Sequence, residues 1–438
     1  MKQSKFNHVF KNEKDEQLAY NGVTNSLANV NIAYFEIVDE IEKETFDYEM
    51  LTDERKKVYD TMKKNGYIID DNVDEMRNFK HIRNLVKYSD KTMSLTIAPT
   101  LDCNLRCTYC YENRRKGIMT EEIEEEIFKF VEKRKQVLKS LNITWYGGEP
   151  LLAKDIIWRL SEKIIKMCEE NSINYSSNMI SNGVLIDEET ANNLEKYKIK
   201  SIQITIDGDK ETHNKRRIYI REDKDGYSKI ITVLKILLKT SVLINIRVNI
   251  DKDNKDSIDG LLDDLKQIEG YERLMINFAK VTSDTDACKS VEGSCVTTEE
   301  FVDLEIELVN KVKEKGLTYH WKNLYPYKRI FACGTENINS LLIDEVGDVY
   351  KCLKDIGIVK NKISNLRNIN KDSNNMLCNN YFKWIEYDAL DNVKCKECKL
   401  LFSCLGGCPY GRVMKKKEPE CTKIKYNFEK IVKYINVK

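Results

Sequence analysis

Three cysteines crowd into one short loop, Cys103-x3-Cys107-x2-Cys110, within Thr100-Leu101-Asp102-Cys103-Asn104-Leu105-Arg106-Cys107-Thr108-Tyr109-Cys110-Tyr111. Three thiolates at that spacing can hold three irons of a [4Fe–4S] cube, whereas closing such a cube or a structural zinc takes four protein ligands. One iron is then left open. The bland reading is three reduced thiols on a surface loop, or half of a zinc site, and the rest of the chain has to decide between them.

The chain has 438 residues, enough for two or three domains with a sizeable core. Lys and Arg number 72 against 71 Asp and Glu, so no global field draws nucleic acid or an anionic membrane, and a polyanion would need a local patch. The one basic run, Lys415-Lys416-Lys417, is followed by Glu418 and reads as a solvated turn. Neither nucleic acid nor membrane is an expected partner. The N-terminus carries no apolar signal segment, and the longest apolar stretch, near 230–238, is interrupted by Lys235. The expected location is the cytoplasm, where fourteen cysteines point to metal ligation rather than disulfides.

Hydrophobic periodicity divides the chain into three expected domains. Residues 1–90 show short strand-like runs at 6–10 and 17–20, helical spacing at 33–41 and 52–64, and a closing strand at 67–69, the order of a winged helix-turn-helix. Residues 91–316 alternate strands (94–98, 143–146, 175–180, 202–206, 243–250, 274–279) with helices (121–139, 156–169, 188–196, 228–239, 257–268), followed by a helix at 298–315. Six strand–helix units require parallel strands with crossovers, hence an α/β fold: a partial (β/α)6 barrel with its chemistry at the strands' C-terminal ends. The cysteine triplet follows the first strand. Residues 317–438 are loop-rich, hold eight further cysteines, and end in an amphipathic helix at 427–435.

Other motifs sit at the ends of the later strands. Trp145-Tyr146-Gly147-Gly148-Glu149-Pro150 follows the second, Ser181-Asn182-Gly183 the third and Thr205-Ile206-Asp207-Gly208 the fourth. The last continues through His213 to Arg216-Arg217, and Arg247 lies in the fifth strand. With Tyr109 as the aromatic before the last cysteine, the triplet resembles the signature of radical S-adenosylmethionine (SAM) enzymes. The resemblance implies that Cys103, Cys107 and Cys110 bind a cluster whose open iron is chelated by SAM, and that the cofactor pair carries the hard chemistry. It also implies a SAM pocket built from Tyr109, Gly147, Gly148, Glu149, Ser181, Asn182, Thr205, Asp207 and Arg247. There the Gly-Gly turn would allow close backbone approach, and Glu149 would accept from the SAM ammonium.

The second cysteine field reads Cys333-x13-Gly347-x4-Cys352, then Cys395-x2-Cys398-x5-Cys404-x3-Cys408, then Cys421. It resembles the SPASM domain, which carries two auxiliary [4Fe–4S] clusters, so three clusters are expected in all. By that resemblance Cys395, Cys398, Cys404 and Cys421 hold the distal cluster, and Cys408 joins Cys333 and Cys352 on the nearer one. Cys378 is the candidate for its missing ligand. A pair of zinc ribbons would account for Cys395-x2-Cys398 alone. Cys168 reads as a core thiol, Cys288 and Cys295 as free thiols.

Family members of this architecture oxidise or cross-link residues in proteins and peptides. Sulfatase maturases carry an aspartate directly after the second SPASM cysteine; here Cys352 is followed by Leu353-Lys354, with Asp355 displaced. The expected activity is therefore cross-linking of a ribosomally made peptide, thioether or carbon–carbon, as in the sactipeptide, ranthipeptide and streptide synthases. Asp355 and Asp344 are the candidate bases. The alternatives are formylglycine formation on a sulfatase-like protein and, from another class, a zinc-binding winged-helix regulator. Expected partners are a precursor peptide, whose leader residues 1–90 would grip by strand addition with the apolar side chains of 33–41 as its seat, and a low-potential flavodoxin or ferredoxin.

Overall fold

The six parallel strands lie where periodicity places them: Thr92–Ile97, Ser140–Trp145, Asn174–Ser181, Ile199–Thr205, Leu243–Ile250 and Leu274–Lys280. Each alternates buried and half-exposed side chains, as in Ser140–Trp145, where Leu141, Ile143 and Trp145 face the core. They pair in sequence order, with Ile97 opposite Trp145, Trp145 opposite Met179 and Thr205 opposite Arg247. Crossover helices Glu121–Glu132, Lys154–Glu170, Glu188–Lys196, Gly226–Leu237 and Ile258–Lys266 return the chain each time. Thr120, Asp187 and Asp225 cap three of them with side-chain oxygens, and Thr297 with Glu300 forms a full capping box on Thr298–Glu314. The computed structural model describes all residues except 13–14, 221–224, 320–323, 416–417, 419 and 437–438. Two lysines of the 415–417 run thus lie outside the described residues.

The sheet is larger than the six strands. Thr318–Tyr319 adds to one edge, and on the other Ser340–Ile343 runs parallel beside the first core strand, followed by Asp348–Tyr350 and Ser364–Asn365. Among the described residues the ten strands form an open order whose ends do not pair, the partial barrel that the alternation implies. The first crossover helix stops at Glu132 rather than 139, because 133–138 tighten into turns that bury Leu138 and start the next strand.

Contacts divide the chain into two units that regroup the expected segments. One comprises Ser89–His320 with Thr335–Glu386, the other Met1–Tyr88 with Trp321–Gly334 and Tyr387–Lys438. In the second unit a three-stranded meander, Asn7–Lys11, Gln17–Asn21 and Ser26–Asn29, precedes helices Ile32–Glu42, Asp53–Lys64 and Glu75–Lys87. Ala33, Tyr34, Ile37 and Ile41, the expected leader seat, are buried with Tyr59, Met62 and Tyr67 in this unit's own core. Only Ile32 and Phe35 of that helix expose large apolar surface. The meander's other face shares a core with the C-terminal segment: Phe10, Leu18 and Tyr20 meet Leu400, Ile424, Phe428 and Val432.

Candidate active site and a four-cysteine cavity

The ends of several neighbouring strands of the sheet unit hold the loop that carries Cys103, Cys107 and Cys110. The Gly147-Gly148 turn lies directly on it: a Cβ at Gly147 would overlap the carbonyl of Thr100, and one at Gly148 that of Asp102. Gly147 also needs φ +123°, a conformation glycine tolerates. The two glycines thus admit the loop's own backbone, and Glu149 N donates to Asp102 O at 2.9 Å. The Glu149 carboxylate is fully buried and accepts from Leu151 N (3.1 Å), Ser181 Oγ (2.9 Å) and Asn182 N (2.7 Å). Burial raises its pKa and those donors pull it back. Asn182 Nδ2 in turn donates to Asn104 Oδ1 at 2.7 Å and lies 3.9 Å from Cys103 Sγ.

A second network grips the other end of the loop. Leu105–Cys107 pairs antiparallel with Arg217–Tyr219, setting Cys107 opposite Arg217. The Tyr109 hydroxyl donates to Asp207 and accepts from Arg217 Nη1 (2.7 Å) and Asn249 Nδ2 (3.2 Å). Asn249 Oδ1 accepts from Arg247 Nε at 2.8 Å, so Arg247 reaches the network through one amide. Asp207, wholly buried, also accepts from Asn249 N at 2.9 Å; burial raises its pKa and Arg217 opposes the shift. His213 is buried and accepts from Asp207 N through Nδ1 at 3.3 Å, with its pKa far below the usual histidine value because of burial and the neighbouring arginines. It is a neutral prop for the Asp207 turn. Thr205 sits in register with Arg247, buried.

The donor set suits a metal cluster. Burial pushes the Cys103 thiol up to about 12 and Cys110 to about 11, so these sulfurs become thiolates only when a cation replaces the proton. Burial raises the Cys107 thiol as well, and Arg217 beside it opposes the shift. Next to the triplet, Asn104 Nδ2 and Glu112 Oε2 are buried without a hydrogen-bond partner, polar atoms left over for a bound group. Sequence reasoning gave no role to Arg217, Asn249, Tyr111, Glu112 or Tyr146. Tyr146 donates to Glu112 and its hydroxyl meets that of Tyr111; burial lifts the Glu112 carboxyl to about 7. A carboxylate two residues beyond Cys110 was the available signal.

Of the candidate bases, Asp344 turns a hairpin. Its Oδ1 accepts from Val346 N and Asp348 N, its Oδ2 from Arg115 Nη2 (3.0 Å) and Tyr350 OH (3.2 Å), which uses both oxygens. Asp355 ends the short turn Leu353–Asp355 after Cys352; Oδ1 accepts from Asn361 Nδ2 at 2.8 Å, and Oδ2 is buried without a partner. Burial raises both carboxyls to about 6.

In the other unit, Cys395, Cys398, Cys404 and Cys421 line one cavity of about 240 Å³. After Cys404 the chain reverses through three consecutive left-handed residues, Leu405, Gly406 and Gly407. A Cβ on Gly407 would press on Glu420 O at 3.0 Å, so glycine lets the 420–422 segment come close enough for Cys421 to join. Thr422 Oγ1 donates to Cys404 Sγ at 3.3 Å. Cys333 and Cys408 also belong to this unit; Cys352 and Cys378 belong to the sheet unit, where Cys378 Sγ donates to Ile363 O at 3.2 Å. Cys168 and Cys288 are buried and Cys295 half-buried, all three as free thiols.

Known proteins resemble parts or most of this chain. Residues 97–265 match the family described as the Radical SAM superfamily. The radical SAM cyclopropyl synthase TigE of Paramaledivibacter caminithermalis is 22% identical over 412 residues, 84% of this chain and 80% of that protein. The cysteine-type anaerobic sulfatase-maturating enzyme of Clostridium novyi is 30% identical over 178 residues, which span 39% of this chain and 46% of that enzyme. Among solved structures, native anSMEcpe with bound AdoMet has a TM-score of 0.62 at 21% identity, covering 79% of this chain and 100% of its own. Streptococcus suis SuiB bound to precursor peptide SuiA has a TM-score of 0.54 at 18% identity, covering 96% and 98%. At these identities the structures establish the fold.

Proposed function

The chain carries a radical SAM domain at residues 97–265, and from that premise we propose that it matures a ribosomally made precursor peptide by forming a cross-link. A [4Fe–4S] cluster with SAM, bound there, would supply radical chemistry at an unactivated C–H bond of the substrate. Cys103, Cys107 and Cys110 hold that cluster. Tyr109, Asp207, Arg217 and Asn249 fix the far side of the loop, and Glu149 with Ser181 and Asn182 fixes the near side. Hydrogen-bonded on both flanks to residues whose carboxylates are buried, the half-buried loop is held in one geometry. Cys395, Cys398, Cys404 and Cys421 hold an auxiliary cluster.

The observation that carries the peptide reading is the reach of the likeness to peptide-bound SuiB. At 96% of this chain it cannot omit the first 88 residues. Those residues offer the meander's edge strand Ser26–Asn29, half-exposed, as a place for a leader to add a strand. Ile32, 74% exposed, and Phe35, 37% exposed, lie one helical turn apart beside it and replace the buried residues of the helix as the seat for leader side chains.

The test is anaerobic turnover of the reconstituted enzyme with a leader-core peptide encoded next to its gene. The expected result is 5'-deoxyadenosine formed in step with loss of two hydrogens from the peptide. Ile32→Asp with Phe35→Asp should weaken leader binding at least tenfold without changing iron content or melting temperature. Conversion of a cysteine or serine to formylglycine, abolished in Asp355→Asn, would instead support the sulfatase-maturase reading. Absence of any peptide modification would sink both.

A further inference from the structure

The four-cysteine cavity sits in a basic stretch of the chain. Between residues 394 and 430 the sequence holds ten Lys and Arg against four Glu, a net +6 in a chain whose total is +1. Lys394 and Lys425 line the cavity itself. Beside it opens a second groove of about 550 Å³, bordered by Cys398, Lys399, Lys425 and Lys430. Lys394, Lys396, Lys399 and Lys425 are exposed. The pair of Lys394 with Glu418 at 3.5 Å is exposed at both ends and neutralises little of this field.

We propose that this lysine collar docks an acidic one-electron carrier protein, of flavin or iron–sulfur type, that takes electrons from the group held by the four cysteines. The need for an acceptor rests on the cross-linking reading. There a C–H bond breaks and its hydrogen leaves on 5'-deoxyadenosine, an X–H bond gives its proton to water, and a C–X bond forms. One electron remains, and the oxidised carrier accepts it and becomes its one-electron-reduced form. A collar of like charge around the exit raises the encounter rate of an acidic partner and suits the small, short-lived interfaces of redox pairs. A nucleic-acid backbone fits less well, because Glu397, Glu420 and Glu429 interrupt the same surface.

The experiment titrates the full-length holoenzyme with an acidic flavodoxin, at low and high salt, against basic cytochrome c as control. Expected are binding of flavodoxin alone, weakening as salt rises, and at least a tenfold loss of affinity in K394E/K396E/K399E. The charge swap K163E/K235E/K239E on the sheet unit should bind like wild type. Iron content is measured on each variant. Should the Glu variant lose iron, the Lys→Gln triple variant, with iron retained, is expected to lose affinity by at least threefold. Equal affinity in all variants, salt-independent binding, or displacement of flavodoxin by duplex DNA would overturn the proposal. Failure of the wild type to modify any peptide with a chemical reductant would count against the cross-linking reading alone, since the titration does not depend on it.

Discussion

The two cysteine-bearing loops are held by opposite means. The Cys103–Cys110 loop is braced by polar groups on neighbouring strand ends, all within residues 98–254: a Gly-Gly turn, one buried carboxylate on each flank, and a hydrogen-bond chain through Tyr109. The Cys395–Cys404 loop is braced by apolar packing from the other end of the chain. Phe402 stacks edge-on between Phe6 and Phe79, and Leu390, Leu401 and Leu405 complete that core. Tyr20 OH bonds Ser403 and the carbonyl of Pro326, and Gly22 is glycine because a Cβ would overlap Lys399 O. A polar brace fixes atoms for chemistry with little tolerance. A hydrophobic brace ties the integrity of its loop to the amino-terminal domain.

The cysteines themselves separate the two regions most sharply. Replacing Cys103, Cys107 and Cys110 together by Ala should reduce 5'-deoxyadenosine release to background while leaving the iron of the other unit in place. Replacing Cys395, Cys398, Cys404 and Cys421 should remove that iron and the peptide product yet preserve SAM cleavage. Iron per chain and deoxyadenosine yield, measured on both variants, check this; parallel loss of both in either variant would break the distinction.

This difference also explains what could be read from the sequence. The triplet, the Gly-Gly-Glu turn and the strand ends are local patterns at barrel spacing, and the sheet places them together because parallel strands deliver every C-terminal end to one side. The four-cysteine spacing was equally legible. Its support was not, since nothing in the periodicity of residues 1–88 shows that Phe6, Tyr20 and Phe79 pack on residues more than 300 positions away. Likewise 340–365 read as loops because strands of two to four residues carry too little alternation. Arg217, quoted within a motif, gained meaning only from its register with Cys107.

A second consequence concerns the amino-terminal domain. Were it a detachable leader clamp, deleting residues 1–88 would spare everything but leader binding. The shared cores predict otherwise: the truncated chain should lose the iron of the four-cysteine cavity and aggregate through exposed Leu401, Phe402 and Leu405, while deoxyadenosine release persists in whatever remains soluble. A gentler form is Phe402→Ala, expected to destabilise this unit by about 3–5 kcal/mol and to lower its iron content without touching the first loop. Full retention of iron after the deletion would show the domain to be separable.

The smallest expected effect tests whether a buried carboxylate in the sheet unit belongs to the chemistry or to the brace. Asp344 accepts two backbone N–H groups and bonds Arg115 and Tyr350 OH, so Asp344→Asn keeps an acceptor for the backbone but sets an amide N–H against the guanidinium. A loss of about 1–3 kcal/mol is expected. The pH dependence has a definite sign. Burial holds the folded-state pKa at about 6, above the ordinary carboxylate value of 3.8, so between those values the folded protein binds more protons than the unfolded one. Stability contributed at this position therefore falls as pH rises from about 4 to 6, and the gap between wild type and Asp344→Asn should narrow across that window. Thermal melts of both proteins at several pH values measure it. A structural Asp344 changes stability and leaves deoxyadenosine release and peptide product per folded enzyme within about threefold. A base at this position would do the reverse, with unchanged melting and product lost by orders of magnitude, and that outcome would move Asp344 from the scaffold into the active site.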